Sequence, residues 1–447
     1  MEDNMSITPH IIKPQEVHST LAKYILADGF DMVLDLKKSQ GLNLVDARTG
    51  ESYVDFFSFF ASQALGMNHP KLNAPEFIEK IGKVALNKPS NSDVYTEEMA
   101  EFVDLFGRFA KPDHFKYLFF VEGGSVANEN GIKVAFDWKI RKNYQKGYKT
   151  ERGHQVLHFR EAFHGRTGYT LSLTNTDPTK TMHFPKFDWP RVTNPKITFP
   201  LEDHLNEVLA LEKMAIDEIY TAINANKDDI AVIIIEPIQG EGGDNMFRKE
   251  FLQKLRDICD EHDILLMFDE VQTGFGMTGK MWASEYFVMP DILSFGKKTQ
   301  VCGIMASARL DEVEDHCFKI SSRINSTWGG NFTDMVRCTK IMEVMIEDNL
   351  VENARIQGEY LLGQLNHLQT EFPRLLTNAR GLGLWASIDL PTPQLRSQFL
   401  NEAYKRRLAI LGCGVKSIRF RTPLIVDQPM LDKGLNIIRD VLTLLNK

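Results

Sequence analysis

Two side chains at the ends of apolar runs carry the first chemical signal in this sequence. Ile264 to Phe268 is short and wholly apolar, follows a polar, helix-like segment (Lys249 to His262), and stops at Asp269. That pattern predicts a buried parallel strand behind a helix. An acid at the carboxyl end of such a strand faces the crevice where open α/β sheets bind ligands. Ile292 to Phe295 repeats the arrangement and ends in Gly296-Lys297. One strand end offers a carboxylate and another an amine.

An amine and a carboxylate in one dry crevice suit pyridoxal phosphate. That cofactor needs a lysine for its Schiff base and an acid that keeps its pyridine nitrogen protonated, so that the ring can accept electrons. On their own the two residues are better explained by a surface lysine and a capping aspartate. The other strand ends decide.

Tyr117 to Val121 is a further strand candidate, ending in Glu122-Gly-Gly-Ser-Val-Ala-Asn128 before a helix. A strand, a glycine-rich turn and a helix amino terminus make an anion cradle, because backbone N–H groups and the positive end of the helix dipole face the ligand. Ser125 adds a hydroxyl. Gln155 to Phe159 leads into a loop where Phe163 offers a flat face and Arg166 a fork for a carboxylate. Ile230 to Ile235 ends in Glu236-Pro-Ile-Gln-Gly-Glu-Gly-Gly243, again carboxylates in a glycine-rich loop. Core packing, an empty N-cap turn and surface charge would each explain one of these stretches, but not all of them in series.

Five strands, near 119, 157, 233, 266 and 293, thus end in polar loops and are separated by helices or long crossovers. This predicts an α/β fold with a mostly parallel sheet and one functional rim. Glu51 to Phe60 reads as a strand leading toward the site, with a turn at Gly66 to Pro70. Thr96 to Phe109 reads as an amphipathic helix, with Met99, Phe102, Val103 and Phe106 on one face. Asp177 to Pro200 lacks periodicity and is expected to be irregular. Helices are expected at Leu201 to Ala225 and from Met335 onward. Ser417 to Arg421 reads as a strand carrying two arginines in a smaller, later domain. The expected division is an arm and part of the small domain at 1–70, a large domain at 71–330, and the rest of the small α+β domain at 331–447.

The 447 residues, 43% hydrophobic and 25% charged, suit a multidomain globular chain. A net charge of −8 argues against nucleic acid or an anionic membrane as the main partner. The five cysteines form no CxxC, so a disulfide framework or zinc site is not expected, and a reducing cytoplasm fits. The opening Met1-Glu-Asp-Asn-Met5 lacks the pattern of a signal peptide, and the longest apolar stretch, near 230 to 238, is too short to span a bilayer. Gly274-Phe-Gly-Met-Thr-Gly279 matches GxGxxG, but Asp269 to Thr273 separate it from its strand, which argues against a dinucleotide site.

Together, FHGRT at 163–167, EPIQGEGG at 236–243, FDEVQTGFG at 268–276 and PDILSFGKK at 290–298 resemble the class III, or ω-, aminotransferases of pyridoxal-phosphate fold type I, over nearly the whole chain. The resemblance implies roles. Lys297 is the Schiff-base lysine, with adjacent Lys298 the alternative. Asp269 pairs with the pyridine nitrogen, and Phe163 stacks on the ring. Gln272 approaches the ring hydroxyl and borders the substrate. Gly124 and Ser125 hold the phosphate. Thr327 reaches the phosphate of a neighbouring subunit in a homodimer with sites at the interface. Arg166 binds the distant carboxylate of either substrate, and Arg419 the near carboxylate of 2-oxoglutarate. Glu241 pairs with Arg419 while the amino donor is bound.

Most members follow the lysine with a glycine-rich run. Here Thr299-Gln-Val-Cys-Gly303 stands instead, and this stretch, with Asn325 to Asn331 and the loop at 163, resembles the lysine ε-aminotransferases. The implied reaction moves the ε-amine of L-lysine to 2-oxoglutarate, giving L-glutamate and an aldehyde that cyclises. Ornithine or 4-aminobutyrate as donor, a racemase or decarboxylase, or a regulatory protein that keeps the cofactor without turnover are the alternatives. Two carboxylate positions favour transamination, since only a two-substrate cycle needs both.

Overall fold

The computed structural model describes residues 11–447; the acidic opening Met1 to Met5 lies outside the described residues. Two short strands come first, β1 (Asn43–Val45) and β2 (Ser52–Asp55), paired antiparallel. The central strands follow: β3 (Phe115–Val121), β4 (Gln155–Phe159), β5 (Arg191–Val192), β6 (Ile230–Ile235), β9 (Leu265–Asp269), β10 (Ile292–Phe295) and β11 (Cys302–Ser307). A small hairpin, β7 (Ile238–Gln239) with β8 (Asn245–Met246), stands off the end of β6. The seven central strands are ordered β3-β11-β10-β9-β6-β4-β5, and the steps from β10 to β5 are all parallel.

The apolar runs form central strands because helices cover both faces. Along β6 and β9, Ile233, Ile235, Leu266 and Phe268 face one way. There they pack with Ile219 of helix Leu201–Ala225 and with Phe251 and Leu255 of helix Lys249–Glu261. Val232, Ile234, Leu265 and Met267 face the other way, against Ala127, Val134 and Trp138 of helix Gly124–Gln145. Gly131 brings that helix close: a Cβ there would lie 2.6 Å from the Met267 methyl.

The structure adds one strand that was not expected and sharpens three expectations. β11 runs antiparallel to both β10 and β3. Only residues 296–301 connect it to β10, too short for the crossover a parallel return needs. The irregular stretch 177–200 contributes a two-residue edge strand, β5. The strand expected over Glu51 to Phe60 stops at Asp55. Asp55 Oδ1 accepts from the backbone N–H of Phe57 at 2.9 Å and Ser58 at 2.7 Å, and the chain then turns through Ser58–Ala61 with φ of 37°, 51°, 60° and 66°. The helix expected over Thr96 to Phe109 is Glu97–Leu105, capped by Thr96 Oγ1, and continues through a wider turn at Phe106–Ala110.

Helices Phe332–Glu347 and Leu350–Glu371 lead to the second sheet. It consists of β12 (Thr377–Leu382), β13 (Trp385–Asp389), β15 (Leu411–Cys413) and β16 (Ser417–Phe420), all antiparallel in the order β12-β13-β16-β15. β14 (Leu408–Ala409) instead lies parallel to β2, so the two chain ends share a sheet. Among the described residues no helix is long and apolar enough to cross a membrane.

Gly434, in the last helix Gln428–Leu445, touches the other end of the chain: a Cβ there would lie 2.2 Å from the Phe56 ring. Helix propensity alone would make Gly434→Ala stabilising by about 1 kcal/mol. Overpacking against a buried ring costs about 1–3 kcal/mol. The variant should therefore melt below the parent, by up to a few degrees, in a thermal scan; a higher melting temperature would show that the contact is not tight.

Candidate active site

The strands deliver their last residues to one place. β9 ends in Asp269, and Ser294 of β10 lies opposite it in register. Beyond β10 come Gly296 and Lys297, beyond β6 comes Glu236, beyond β4 the loop with Phe163, and beyond β3 the glycines that open helix Gly124–Gln145. These ends border a cavity of about 350 Å³. Of the residues singled out in the sequence, Gly124, Ser125, Phe163, Arg166, Glu241, Asp269, Gln272 and Lys297 line it.

Asp269 is 6% exposed. Its Oδ2 accepts from Asn128 Nδ2 at 2.7 Å and from His164 Nδ1 at 2.8 Å, and its Oδ1 from the Val271 N–H at 3.1 Å. Asn128 also donates to the His164 carbonyl at 2.9 Å, so both donors are fixed. Sequence reasoning gave neither a role. Both stood inside quoted motifs, but nothing in their spacing showed that they meet at one carboxylate.

Lys297 and Lys298 are distinguished by their surroundings. Lys298 is 2% exposed, and its Nζ donates to the carbonyls of Ala61 at 3.2 Å and Gln272 at 3.0 Å, while burial, with Lys297 beside it, pushes its amine well below the usual range. Lys297 lines the cavity, on backbone with φ of 54°, a conformation uncommon outside glycine. Burial, with help from Arg419 and against the pull of Asp269, lowers its amine to about 8. Burial also pushes the Glu236 carboxyl up to about 7 against the pull of His164. Its two oxygens accept from the N–H groups of Phe163 at 3.0 Å and Gly240 at 2.9 Å, which ties the two loops together.

The glycine cradle is tight. Gly123 has φ of 97°, and a Cβ on Gly124 would lie 2.7 Å from Val271. Ser125 Oγ is 2.8 Å from both Thr167 Oγ1 and Thr170 Oγ1, and a Cβ on Gly165 would lie 2.1 Å from it. Bare N–H groups at the start of a long helix form a seat for an anion.

On the opposite wall, Arg419 Nη1 donates to Glu241 Oε2 at 3.0 Å, so Arg419 meets the cavity through Glu241. Burial would raise the Glu241 carboxyl, but Arg419 and Lys180 outweigh it and hold it below the usual range. Arg421, two residues along the same strand face, pairs with buried Asp244 and donates to Gln272 Oε1 at 3.2 Å. The sequence showed this second arginine but gave it no function; its strand period relative to Arg419 was the available signal. Cys302, which also lines the cavity, was missed. Thr327 does not line the cavity. It is exposed, and its carbonyl accepts from Ser90 Oγ at 2.6 Å.

Comparison with known proteins finds similarity over nearly the whole chain. The model of the family Aminotransferase class-III matches residues 25–442. The L-lysine-epsilon aminotransferase of Mycobacterium tuberculosis is 49% identical over 431 residues, 96% of each chain. That of Amycolatopsis lactamdurans is 47% identical over 424 residues, 94% of each chain. Human mitochondrial 4-aminobutyrate aminotransferase is 30% identical over 450 residues, 96% of this chain and 89% of its own. A solved lysine aminotransferase from M. tuberculosis, in the internal aldimine form, matches with a TM-score of 0.95 at 49% identity, covering 97% of this chain and 100% of that one.

The two lysines should separate chemically. A lysine amine lowered to about 8 is neutral and nucleophilic above that pH, well below the ordinary value of 10.5. Acylation of the ligand-free protein, mapped by peptide mass, should modify Lys297 with a midpoint near pH 8 and leave Lys298 unmodified. Labelling of Lys298 in preference to Lys297 would contradict the geometry.

Proposed function

The chain belongs to the class-III aminotransferase family, and from that premise we propose that it moves the ε-amino group of L-lysine to 2-oxoglutarate, giving L-glutamate and 2-aminoadipate 6-semialdehyde, which cyclises to 1-piperideine 6-carboxylate. It is a pyridoxal-phosphate enzyme acting on small molecules. When bound, the cofactor supplies a carbonyl that captures the amine and a ring that stores the electron pair of a broken C–H bond. The residues of the cleft fit that group. A buried carboxylate and a helix amino terminus with no room for a Cβ border one cavity, with an aromatic face and a free amine between them.

In this reading Asp269 holds a proton on the ring nitrogen, and Asn128 and His164 hold Asp269. The single observation that carries the assignment is this buried carboxylate with both donors in place. Gly124 and Ser125 bind the phosphate, Phe163 packs on the ring and Gln272 meets the ring hydroxyl. Lys297 is the covalent anchor. With the cofactor in place, the freed Nζ would carry the proton from the ε-carbon of lysine to the cofactor, and in the return half-reaction would carry a proton from the cofactor to C2 of the acceptor. An amine lowered by burial suits both directions near neutral pH. Support for Lys297 over Lys298 is that Lys298 spends its protons on two carbonyls.

Substrate choice rests on two arginines at different depths. Arg166 binds the carboxylate far from the reacting carbon, which lysine and 2-oxoglutarate share. Arg419 binds the near carboxylate, which only 2-oxoglutarate has. Glu241 covers Arg419 during the lysine half-reaction, when a bare cation would attract the wrong end of the amino acid. Thr327 serves the phosphate of a neighbouring subunit in a homodimer; its exposure in one chain supports this. The division at about residues 70 and 330 belongs to the same proposal, supported by the sheet that joins β14 to β2. A cytoplasmic setting is supported by five buried, free cysteines.

Ornithine is one methylene shorter than lysine, a difference worth only about 1–3 kcal/mol in a pocket. The preference for lysine therefore rests on relatives that carry its name at far higher identity than those named for 4-aminobutyrate.

Incubation with 2-oxoglutarate and either L-lysine, L-ornithine or 4-aminobutyrate, with glutamate quantified, tests the donor; a higher kcat/KM for either of the others would overturn lysine. Arg166→Met should weaken use of both lysine and 2-oxoglutarate, each by about 100-fold in kcat/KM, or ~3 kcal/mol. Arg419→Met should do so for 2-oxoglutarate only. Equal losses for both substrates in Arg419→Met would contradict the two-depth scheme.

A further inference from the structure

Glu241 is held by two cations at once. Oε2 accepts from Arg419 at 3.0 Å and Oε1 from Lys180 Nζ at 2.6 Å. The Arg419 side chain is 4% exposed, that of Lys180 16%, and that of Glu241 30%. The two cations come from separate elements. Arg419 stands on β16, whereas Lys180 closes the short helical turn Pro178–Lys180. The Lys180 ammonium is also 3.3 Å from Thr176 Oγ1 and 5.4 Å from the centre of the Phe163 ring. The carboxylate therefore has one partner on the small-domain strand and another on a loop beside the ring wall.

That arrangement bears on how Arg419 can be uncovered. If Arg419 were the only partner, its release to a substrate carboxylate would leave Glu241 as an unpaired, partly buried charge, an unfavourable state. With Lys180 in place the carboxylate stays paired after it lets go of Arg419. The geometry points to Lys180 as the residue that receives Glu241 when a dicarboxylate occupies the cleft, and so as a specificity residue for the acceptor half-reaction. This rests on the aminotransferase reading above, in which Arg419 is covered for one substrate and free for the other. Lys180 touches neither cofactor nor reacting carbon in that scheme; it is a positioning residue.

The test uses two non-reacting ligands on the purified holoenzyme, by calorimetry. Glutarate has both carboxylates of 2-oxoglutarate, and hexanoate has only one. Lys180→Met should weaken glutarate about tenfold, equivalent to about 1.4 kcal/mol, and leave hexanoate within about twofold. Lys180→Arg, which keeps the charge, should retain glutarate binding within about twofold of the parent. Adding Glu241→Gln to Lys180→Met should recover most of the loss, since a neutral side chain no longer competes for Arg419. In turnover, KM for 2-oxoglutarate should rise while kcat of the lysine half-reaction holds. Equal weakening of both ligands by Lys180→Met, failure of Lys180→Arg to retain binding, or unchanged glutarate affinity would each overturn the inference. A parent enzyme that binds glutarate yet forms no glutamate from any donor would instead defeat the aminotransferase reading.

Discussion

A carboxylate at the end of an all-apolar central strand cannot be left unpartnered, and much of the structure follows from satisfying Asp269. A buried charge without hydrogen bonds costs several kcal/mol or gives up its charge. Here its donors come from different elements: Asn128 from the helix after β3, His164 from the loop after β4, and Val271 from its own loop. They converge only if the strands keep their register, with Phe268 beside Ile235 and Asp269 beside Ser294. A slip of one residue would turn each side chain to the opposite face. The apolar cover on both faces is thus what holds the donors in position.

Around that fixed point the cleft keeps groups in unfavourable states. Lys297 sits on left-handed backbone, and Ser58–Ala61 passes through the same region four times in succession. Each such residue costs about 1–3 kcal/mol and persists only where neighbours over-determine it. The neighbours are visible. Asp55 caps one end of the turn, and the buried Nζ of Lys298 donates to the Ala61 carbonyl at the other. Lys298, the residue after Lys297, thus joins the turn to Gln272. Opposite, Arg419, Lys180 and Glu241 form a charge set in which two cations share one carboxylate. The first group is locked, whereas in the second the carboxylate keeps one partner if the other cation is drawn away, and discrimination between unlike substrates calls for the second kind.

The sequence made the sheet legible wherever strands are buried on both faces, because such runs are short, apolar and bounded by polar turns. Ile230 to Ile235 and Ile264 to Phe268 are plain cases. β11 was not legible as an antiparallel return, since Cys302–Ser307 is neither uniformly apolar nor alternating, and its direction is set by the brevity of the loop before it. The end of β2 at Asp55 was hidden because the aromatic run continues past it while the backbone does not. GxGxxG at 274–279 proved to be packing chemistry: Gly274 fits against Trp282 and Gly279 against Arg355. Within the site, residues at strand ends were legible from position. Asn128, His164, Lys180 and Arg421 were not, because their importance lies in partners 61 to 177 residues away in the chain.

Nitrogen tracing shows which end of the substrate reaches the reacting position. L-Lysine labelled with ¹⁵N at either the α- or the ε-position would be incubated with the holoenzyme and 2-oxoglutarate, and the glutamate examined by mass spectrometry. Label should reach glutamate from the ε-position only, with the α-nitrogen retained in the cyclised product. Label arriving from the α-position would contradict it, because the substrate would then sit in the cleft the other way round, with its carboxylate at Arg419 instead of Arg166.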